Sequence, residues 1–302
     1  MKSSPRPSKP RPARLTPPPA SPISGRRWIP AVIIAVSVVV GLVFVSHGAS
    51  DTNASNPNSA GAPVEVTPDT YIRAETDRQF AEIVKMAGGV NRFYHFRTPT
   101  PLDKQNVVRM NRDTLYSMGI VDTAGGATIT VPELPEDRYV SVYLADNDHY
   151  TPFVIYTAGL HELPQDTKYL ALGIRIQVFD PKDPDEIAVI NTLQDQFVIT
   201  ANSADPLPEF TWDLPSLKAL TAQYEKDSAQ YSSWKGMQGP RGQVDEQTRH
   251  IAAAAAWGLF PEWDATYLNY SGGHDPNVCY QATYSVPEND AFLSLIHISE
   301  PT

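Results

Sequence analysis

The chain has 302 residues, of which 41% are hydrophobic and 19% charged, and its formal net charge is −10 at pH 7. These fractions are typical of a globular protein, and the length suits one large or two ordinary domains. Seven of the 24 basic residues and none of the 34 acidic residues lie within residues 1–27, so the rest of the chain carries a net charge of −17. An acidic surface of this kind repels phosphate backbones, so we expect no nucleic-acid partner.

The N-terminal segment predicts a membrane anchor. Residues 1–27 are basic and rich in proline, which is typical of a disordered tail. An uncharged apolar run from Ile29 to Val45 is just long enough for a short membrane-spanning helix, and the positive charge before it places the N-terminus in the cytoplasm. We therefore predict a signal anchor at 28–46, with the bulk of the chain extracytoplasmic, either periplasmic or on the cell surface. A cleaved signal peptide is the alternative, since small residues follow the run.

The pattern of apolar residues changes along the remaining chain. Residues 47–66 are rich in small and polar residues and predict a flexible linker. Thr67-Pro68-Asp69 predicts the start of a helix, which Gly88-Gly89 ends. Short runs with period two between Thr114 and Phe179 favour an antiparallel sandwich or barrel. Further helices are predicted at 183–196, 214–232 and 245–260, and further strands at 267–270 and 278–285.

Two motifs resemble a family of uncharacterised function. Arg109 to Ser117 reads RMNRDTLYS, and Arg138 to Asn147 reads RYVSVYLADN. With the ordered pattern around them, they resemble domain of unknown function 1254 (DUF1254) over about 93–196, followed from about Leu259 by the start of domain of unknown function 1214 (DUF1214). The resemblance implies β-rich, sandwich-like units joined by helices, in bacterial envelope or secreted proteins. It names no reaction.

The expected fold class is therefore mainly β with helices (α+β). We predict an antiparallel β-sandwich-like domain, a helical connection and the start of a second β-sandwich, besides one N-terminal transmembrane helix. The boundaries are a disordered basic cytoplasmic tail at 1–27, the anchor at 28–46, the linker at 47–66, the first β-rich domain at 67–200, the helical connection at 201–258 and the truncated second domain at 259–292. Residues 293–302 resemble a translated sequencing adapter.

Polar residues stand at the ends of two predicted strands, where loops on a rigid sheet commonly carry a site. If the two strand ends are neighbours, Arg112 could bind a carboxylate or another anion while Asp113 or Asp146 acts as a base. The predicted ligand-binding residues are Asn111, Arg112, Tyr116, Tyr143 and Asn147, and the candidate catalytic residues are Asp113, Asp146 and His149. The structural alternative is an ion pair that locks a turn, with the other side chains capping backbone donors.

Aromatic residues late in the chain offer a second kind of surface. They could form a platform for a ligand, although packing in the core or between domains is the more common role of such residues. They are Trp234, Trp257, Trp263, Tyr267 and Tyr270.

Three functions stay open at this stage. We prefer a membrane-anchored extracytoplasmic protein that binds a small organic or envelope-derived ligand in a β-sandwich pocket. The alternatives are a hydrolase with Asp/His acid-base chemistry, and a structural or protein-binding envelope module. We expect no cofactor, because the chain lacks a phosphate-binding glycine loop and a dinucleotide fingerprint. We also expect no metal, since Cys279 is the only cysteine and Asp146 to Asp148 lack the spacing of a calcium loop.

Overall fold

The computed structural model describes residues 62–99, 113–135, 138–231 and 233–265. Within these residues the chain forms two antiparallel sheets, of five and three strands, and four helices. The α+β class predicted from the sequence is therefore confirmed. The elements in chain order are α1 (Tyr71–Ala87), β1 (Arg92–His95), β2 (Thr114–Asp122), β3 (Ala127–Val131), β4 (Val140–Asp146), β5 (Val154–Ile155), β6 (Gly159–Glu162), β7 (Tyr169–Gln177), α2 (Pro184–Gln194), β8 (Val198–Ala201), α3 (Leu214–Ser228) and α4 (Arg249–Ala256).

The larger sheet has the strand order β1-β2-β7-β4-β5, and every neighbouring pair is antiparallel. β2 pairs with β7 along its whole length, from Thr114 opposite Gln177 to Asp122 opposite Tyr169. Because β2 and β4 both run antiparallel to β7, they run parallel to each other on either side of it. The first residues of β2 and β4 therefore lie at one end of the sheet, and their last residues lie at the other.

The sheet is covered on both faces. On one face, Leu115, Val142 and Ile174 share a hydrophobic core with the three-stranded sheet, ordered β6-β3-β8, and with α2. On the other face, Met118 and Ile120 pack against α1 and the segment that follows α4. This two-sided cover explains why β2 and β4 are buried at every position, as is usual for strands with both faces packed.

Two predicted helix starts are confirmed by their caps. The side chain of Asp183 accepts a hydrogen bond from the Asp185 N–H (2.9 Å), and that of Asp213 accepts one from the Ser216 N–H (2.8 Å). Each helix has proline in its first turn, where the missing N–H costs nothing. The predicted end of α1 is also confirmed, since Gly88 adopts the left-handed conformation (φ 73°) after Ala87.

Other boundaries differ from the prediction. α1 begins at Tyr71 rather than Pro68, because Thr67 and Thr70 close a turn in which the Thr70 hydroxyl accepts from the Thr67 N–H (2.9 Å). α4 begins at Arg249, because Asp245 caps a separate turn that includes Thr248. The short strands β1, β6 and β8 were not predicted, since each is largely exposed and lacks a long apolar alternation.

Several predictions concern residues outside the described ranges. They are the basic tail, the signal anchor, most of the linker, the strands at 267–270 and 278–285 and the adapter-like end. Among the helices in the described part of the chain, none combines the length and the apolar character needed to cross a membrane.

Gly119 allows β1 to approach β2 closely. A Cβ atom at this position would lie 2.6 Å from the Arg92 carbonyl oxygen and 3.0 Å from Phe93 Cδ1, and a backbone carbonyl cannot yield without disturbing the strand pairing. We expect Gly119→Ala to lower the free energy of unfolding by about 1–3 kcal/mol in urea titrations. Gly173→Ala in β7 is the matched control, because a Cβ there meets only Tyr143, at 3.8 Å. Equal losses in the two variants would exclude the proposed clash.

Candidate functional site

The helix-facing side of the five-stranded sheet contains a depression. Residues directly opposite each other on antiparallel strands point to the same face. Gly173 of β7 lies between Met118 of β2 and Tyr143 of β4. Because glycine has no side chain, the space between those two side chains is open. The two rows concerned are Tyr116–Arg175–Ser141 and Met118–Gly173–Tyr143, each read across β2, β7 and β4.

Helical elements wall this depression. Ile83 comes from α1, and Trp257, Gly258 and Phe260 come from the segment that follows α4. The resulting cavity is lined mainly by apolar atoms, and its empty volume is ≈ 450 Å³ when its open mouth is included. That figure includes open solvent, and the space that water-sized probes can occupy is only ≈ 50 Å³. The feature is therefore a small apolar depression that is open to solvent on one side.

Arg175 gives the cavity wall a positive charge. Among the lining residues that the structure describes, it alone carries a charge. Its guanidinium carbon lies 5.8 Å from the centroid of the Tyr116 ring and 5.3 Å from that of Phe260. Both distances are suited to cation–π attraction. The cavity thus combines an apolar lining with one cationic group.

The wall formed by residues 257–260 is held in place by polar contacts. The Trp257 indole N–H donates to the Thr76 hydroxyl of α1 (3.2 Å), and the Gly258 N–H donates to His149 Nε2 (3.0 Å). The His149 ring also stacks on Trp257, with centroids 5.3 Å apart and planes inclined by 16°. These contacts tie the cavity wall to α1 and to the loop that follows β4.

His149 is a buried positioning residue in that loop. It is 1% exposed and has a left-handed backbone (φ 60°). Burial, together with the charge of Arg249, lowers its pKa to about 3. The ring is therefore neutral near pH 7, and it accepts the Gly258 hydrogen bond at Nε2. Arg249 fixes the loop backbone by donating to the carbonyls of Asp148 (2.6 Å) and His149 (3.0 Å).

Asp146, at the start of this loop, is held by hydrogen bonds and by an ion pair. One carboxylate oxygen accepts from the N–H groups of Asp148 and Tyr150 (2.9 Å each), and the other pairs with Arg241 (2.9 Å). Burial raises the pKa of Asp146, although Arg241 opposes the shift. Burial would also raise the pKa of Asp148, but hydrogen bonds from Arg73 and Arg241 outweigh it and lower that pKa. The loop is thus an ion-paired junction between the sheet and the helical layer.

The structure separates the two groups of predicted catalytic residues. Asp113 precedes β2 and its carbonyl oxygen accepts from the Val178 N–H (2.7 Å), whereas Asp146 lies opposite Leu170. At about 3.3 Å per residue, this separation along β7 corresponds to roughly 25 Å. Asp113 therefore does not lie with Asp146 and His149. Asn111 and Arg112 lie outside the described residues.

The predicted ligand-binding residues are also divided. Tyr116 and Tyr143 line the cavity, on strands either side of β7. Asn147 lies elsewhere: its amide nitrogen donates to Asp77 (3.2 Å), and its amide oxygen accepts from the Tyr169 N–H (3.3 Å). The cavity therefore includes two of the predicted residues, in the middle of strands rather than at strand ends.

Several lining residues carry little sequence signal for a site. Gly173 and Arg175 lie inside a strand that otherwise reads as apolar, and a glycine within a strand can mark a close approach or a gap. That local signal was available. Phe260 carried none, because its place at the cavity depends on how α4 packs. Of the aromatic residues considered as a platform, Trp257 lines the cavity.

The family comparison agrees with the motifs of the first domain. Residues 90–159 match the family described as "Protein of unknown function (DUF1254)". This segment contains β1 to β5, and with them Tyr116, Tyr143 and the loop after β4. It does not include β7, which supplies Gly173 and Arg175. No curated protein matches the chain.

Among the solved structures that are distantly similar is the crystal structure of the VPA0106 protein from Vibrio parahaemolyticus, which is 18% identical, with a TM-score of 0.35. The similarity covers 62% of this chain and 55% of that chain. This chain thus spans about half the length of that protein. Within the described ranges, no group of three or more His, Cys, Asp or Glu side chains is placed to hold a metal ion.

His149 gives the fold a specific pH dependence. Its pKa is about 3 in the folded protein against an ordinary value of 6.5, so between these values the unfolded chain binds a proton that the folded protein does not. The contribution of His149 to the free energy of unfolding is complete above pH 6.5. It is lost as the pH falls below that value, by up to about 1.4 kcal/mol per pH unit. Urea unfolding at pH 7 and pH 5 measures this loss.

His149→Asn is the matched variant, because Asn tolerates a positive φ and does not titrate. We expect a less stable protein whose stability depends less on pH over the same interval. The same pH slope in both proteins would show that His149 is not the group responsible.

Proposed function

We propose that the protein binds a small organic ligand in the cavity above Gly173. The observation that carries this proposal is the open centre of the row Met118–Gly173–Tyr143, walled by Trp257 and Phe260. Two residues chosen from the sequence as ligand-binding, Tyr116 and Tyr143, lie in its lining. Small-molecule sites usually have an apolar lining with few polar groups that orient the ligand, and this arrangement is of that kind.

A packing gap alone does not explain the cavity. Protein interiors are packed as densely as organic crystals, and an unfilled apolar space forfeits contacts with every atom around it. A methyl group at Gly173 would meet only Tyr143, at ordinary contact distance. Alanine would thus fit in the strand and would fill part of the gap. Glycine at this position is more readily explained by a ligand that needs the space.

The geometry favours binding over hydrolysis. Asp146 is ion-paired with Arg241, His149 accepts a backbone hydrogen bond, and Asp113 lies at the far end of the sheet. A general base must reach the proton that it removes. These three candidates do not converge on the cavity, so we propose a binding protein rather than a hydrolase.

We further propose that the domain is held on the outer side of the cytoplasmic membrane by a helix at 28–46, and that a DUF1214-like domain begins near Leu259. The basic leader, the apolar run and the acidic remainder of the sequence support the first proposal. The second proposal is supported by the resemblance of the sequence from about Leu259 to the start of DUF1214, after the DUF1254-like segment. Binding of a small organic or envelope-derived ligand is compatible with this location.

The binding proposal is tested by filling the cavity from its floor. Gly173→Val should keep the folded state, because valine suits a strand and its Cβ has room. We expect it to abolish ligand-induced thermal stabilisation of the full chain, measured in lipid nanodiscs so that no detergent competes. The ligands are a panel of alkyl, phenyl and naphthyl compounds, each as an acid and as a neutral amide.

Thr130→Val is the control, since it introduces the same residue into the three-stranded sheet on β3, outside the cavity lining. It should bind as the parent protein does. A cooperative protein that is stabilised by no member of the panel would favour the structural or protein-binding alternative.

The location is tested by protease access. In cells that produce the full chain, protease added outside spheroplasts should digest the domain, and deletion of residues 1–46 should leave it protected in the cytoplasm. Digestion only after lysis of cells that carry the full chain would contradict the proposed orientation.

A further inference from the structure

We infer that the depression holds a compact alkyl group of about three or four carbon atoms and recognises it by shape and apolar contact. The polar part of the ligand stays in the solvent at the open side. This inference rests on the proposed binding function and names the class of ligand, a small molecule that ends in a short alkyl group. It depends on the size of the enclosed space, on its boundaries and on the engagement of its polar groups.

The enclosed space sets the size of the group that enters it. The part that a water-sized sphere can occupy measures only ≈ 50 Å³, and one water molecule needs about 10–15 Å³ by this measure. The space therefore holds roughly three to five non-hydrogen atoms. A phenyl ring exceeds this limit, whereas an isopropyl or isobutyl group fills it.

The open position at Gly173 is bounded in each direction along the sheet. Met118 and Tyr143 flank it across the strands, and Ala171 and Arg175 lie two residues away on either side of it along β7. The helical wall of the depression faces this floor. A compact group that enters from the open side therefore fits the space better than an extended chain that would run along the sheet.

The polar groups of the wall are already bonded within the protein. The Trp257 indole N–H donates to Thr76, and the Gly258 N–H donates to His149. Either group would have to give up a hydrogen bond within the protein in order to bind a ligand atom, and such an exchange contributes little to affinity. The wall therefore offers a ligand apolar contact rather than hydrogen bonds.

The polar groups of the floor are engaged as well. The Tyr143 hydroxyl accepts from the Thr151 hydroxyl (3.0 Å) and from the Gln238 amide (3.1 Å). Arg175 has an interaction of its own, besides its position near the Tyr116 ring. Its charge therefore does not await an anion from a ligand. We accordingly expect the depression to bind an acid and its neutral amide about equally.

An alkyl occupant would supply the contacts that the lining lacks. The lining is mainly apolar, and an apolar cavity in a protein stays dry and binds small apolar molecules. Atoms that border an unfilled space lose dispersion contacts, which a hydrocarbon group in that space restores. The alkyl group thus takes the place of the side chain that glycine lacks at position 173, between Met118 and Tyr143.

The test follows two methionine methyl groups by NMR in the full chain, labelled with ¹³C in the methionine methyl groups and held in nanodiscs at pH 7. Met118 lines the depression, whereas Met237 is buried in a separate core cluster and serves as the internal reference. The signal that Met118→Leu removes assigns the Met118 methyl group. The probes are acetamide, propionamide, isobutyramide, isovaleramide and phenylacetamide, together with the acid that corresponds to each.

We expect the alkyl amides to shift the Met118 signal saturably and to leave the Met237 signal in place. Each carbon atom added from acetamide to isovaleramide should tighten binding about fourfold, as burial of one methylene group provides. Phenylacetamide should bind more weakly than isovaleramide, because its ring exceeds the space. Each acid should bind within about threefold of its amide.

Two substitutions change the space by one carbon atom in opposite directions. Gly173→Ala adds a methyl group to the floor, where a Cβ has room, and should reverse the order so that isobutyramide binds more tightly than isovaleramide. Ile83→Val removes a methyl group from the wall and should extend the preference to the larger 3,3-dimethylbutyramide. Thr130→Val, outside the lining, should keep the preference of the parent protein. A purely structural role of these positions would change stability without moving the size preference.

The outcomes distinguish this inference from the proposed function. The alkyl inference would be overturned by an acid that binds more than about tenfold more tightly than its amide, by phenylacetamide that binds more tightly than isovaleramide, or by a size preference that Gly173→Ala leaves unchanged. Each of these results leaves the binding function standing, as does stabilisation by the wider panel when none of these probes shifts Met118. No shift of Met118 and no stabilisation by any compound would overturn both.

Discussion

The central constraint in this structure is the burial of the five-stranded sheet on both faces. β2 and β4 have no exposed position, so each polar side chain on them needs a partner within the protein or in a ligand. Ser117 meets this requirement through His95 and Gln194 on the face toward α2. Ser141, on the helix-facing side, does not. Ser141 is paired with Arg175 across the strands but does not itself line the cavity.

The same constraint explains the second motif of the sequence, Arg138 to Asn147. Arg138 is buried at the start of β4, where it pairs with Glu186 of α2 (2.7 Å) and donates to the Gln177 carbonyl (2.7 Å). Asp146 closes the other end of the strand by capping its loop and pairing with Arg241. The charged residues of this motif therefore hold β4 at both ends, and the residue at its middle, Tyr143, faces the cavity.

The loop after β4 links the sheet to the helical layer that walls the cavity. His149, Asp148 and Tyr150 are contacted by Gly258, Arg249 and Arg241, all of which follow α3 in the chain. The cavity wall is thus set by long-range contacts that link distant parts of the sequence. A buried neutral histidine in this position is a structural acceptor, because its low pKa removes it from acid-base work near neutral pH.

Sequence alone determined what depends on local chemistry. Asp183 predicted a helix start because a capping carboxylate acts within a few residues, and Gly88 predicted a helix end because it readily adopts a positive φ. Period-two alternation predicted the antiparallel strands, and the motifs predicted the family resemblance over the first domain. Only the tertiary structure decided which residues meet. β7 lies between β2 and β4, so it places Tyr116 and Tyr143 on either side of Gly173 and Arg175. Because β2 and β4 run parallel, Asp113 before the start of β2 and Asp146 at the end of β4 lie at opposite ends of the sheet. Strand order is a long-range property that no local pattern encodes.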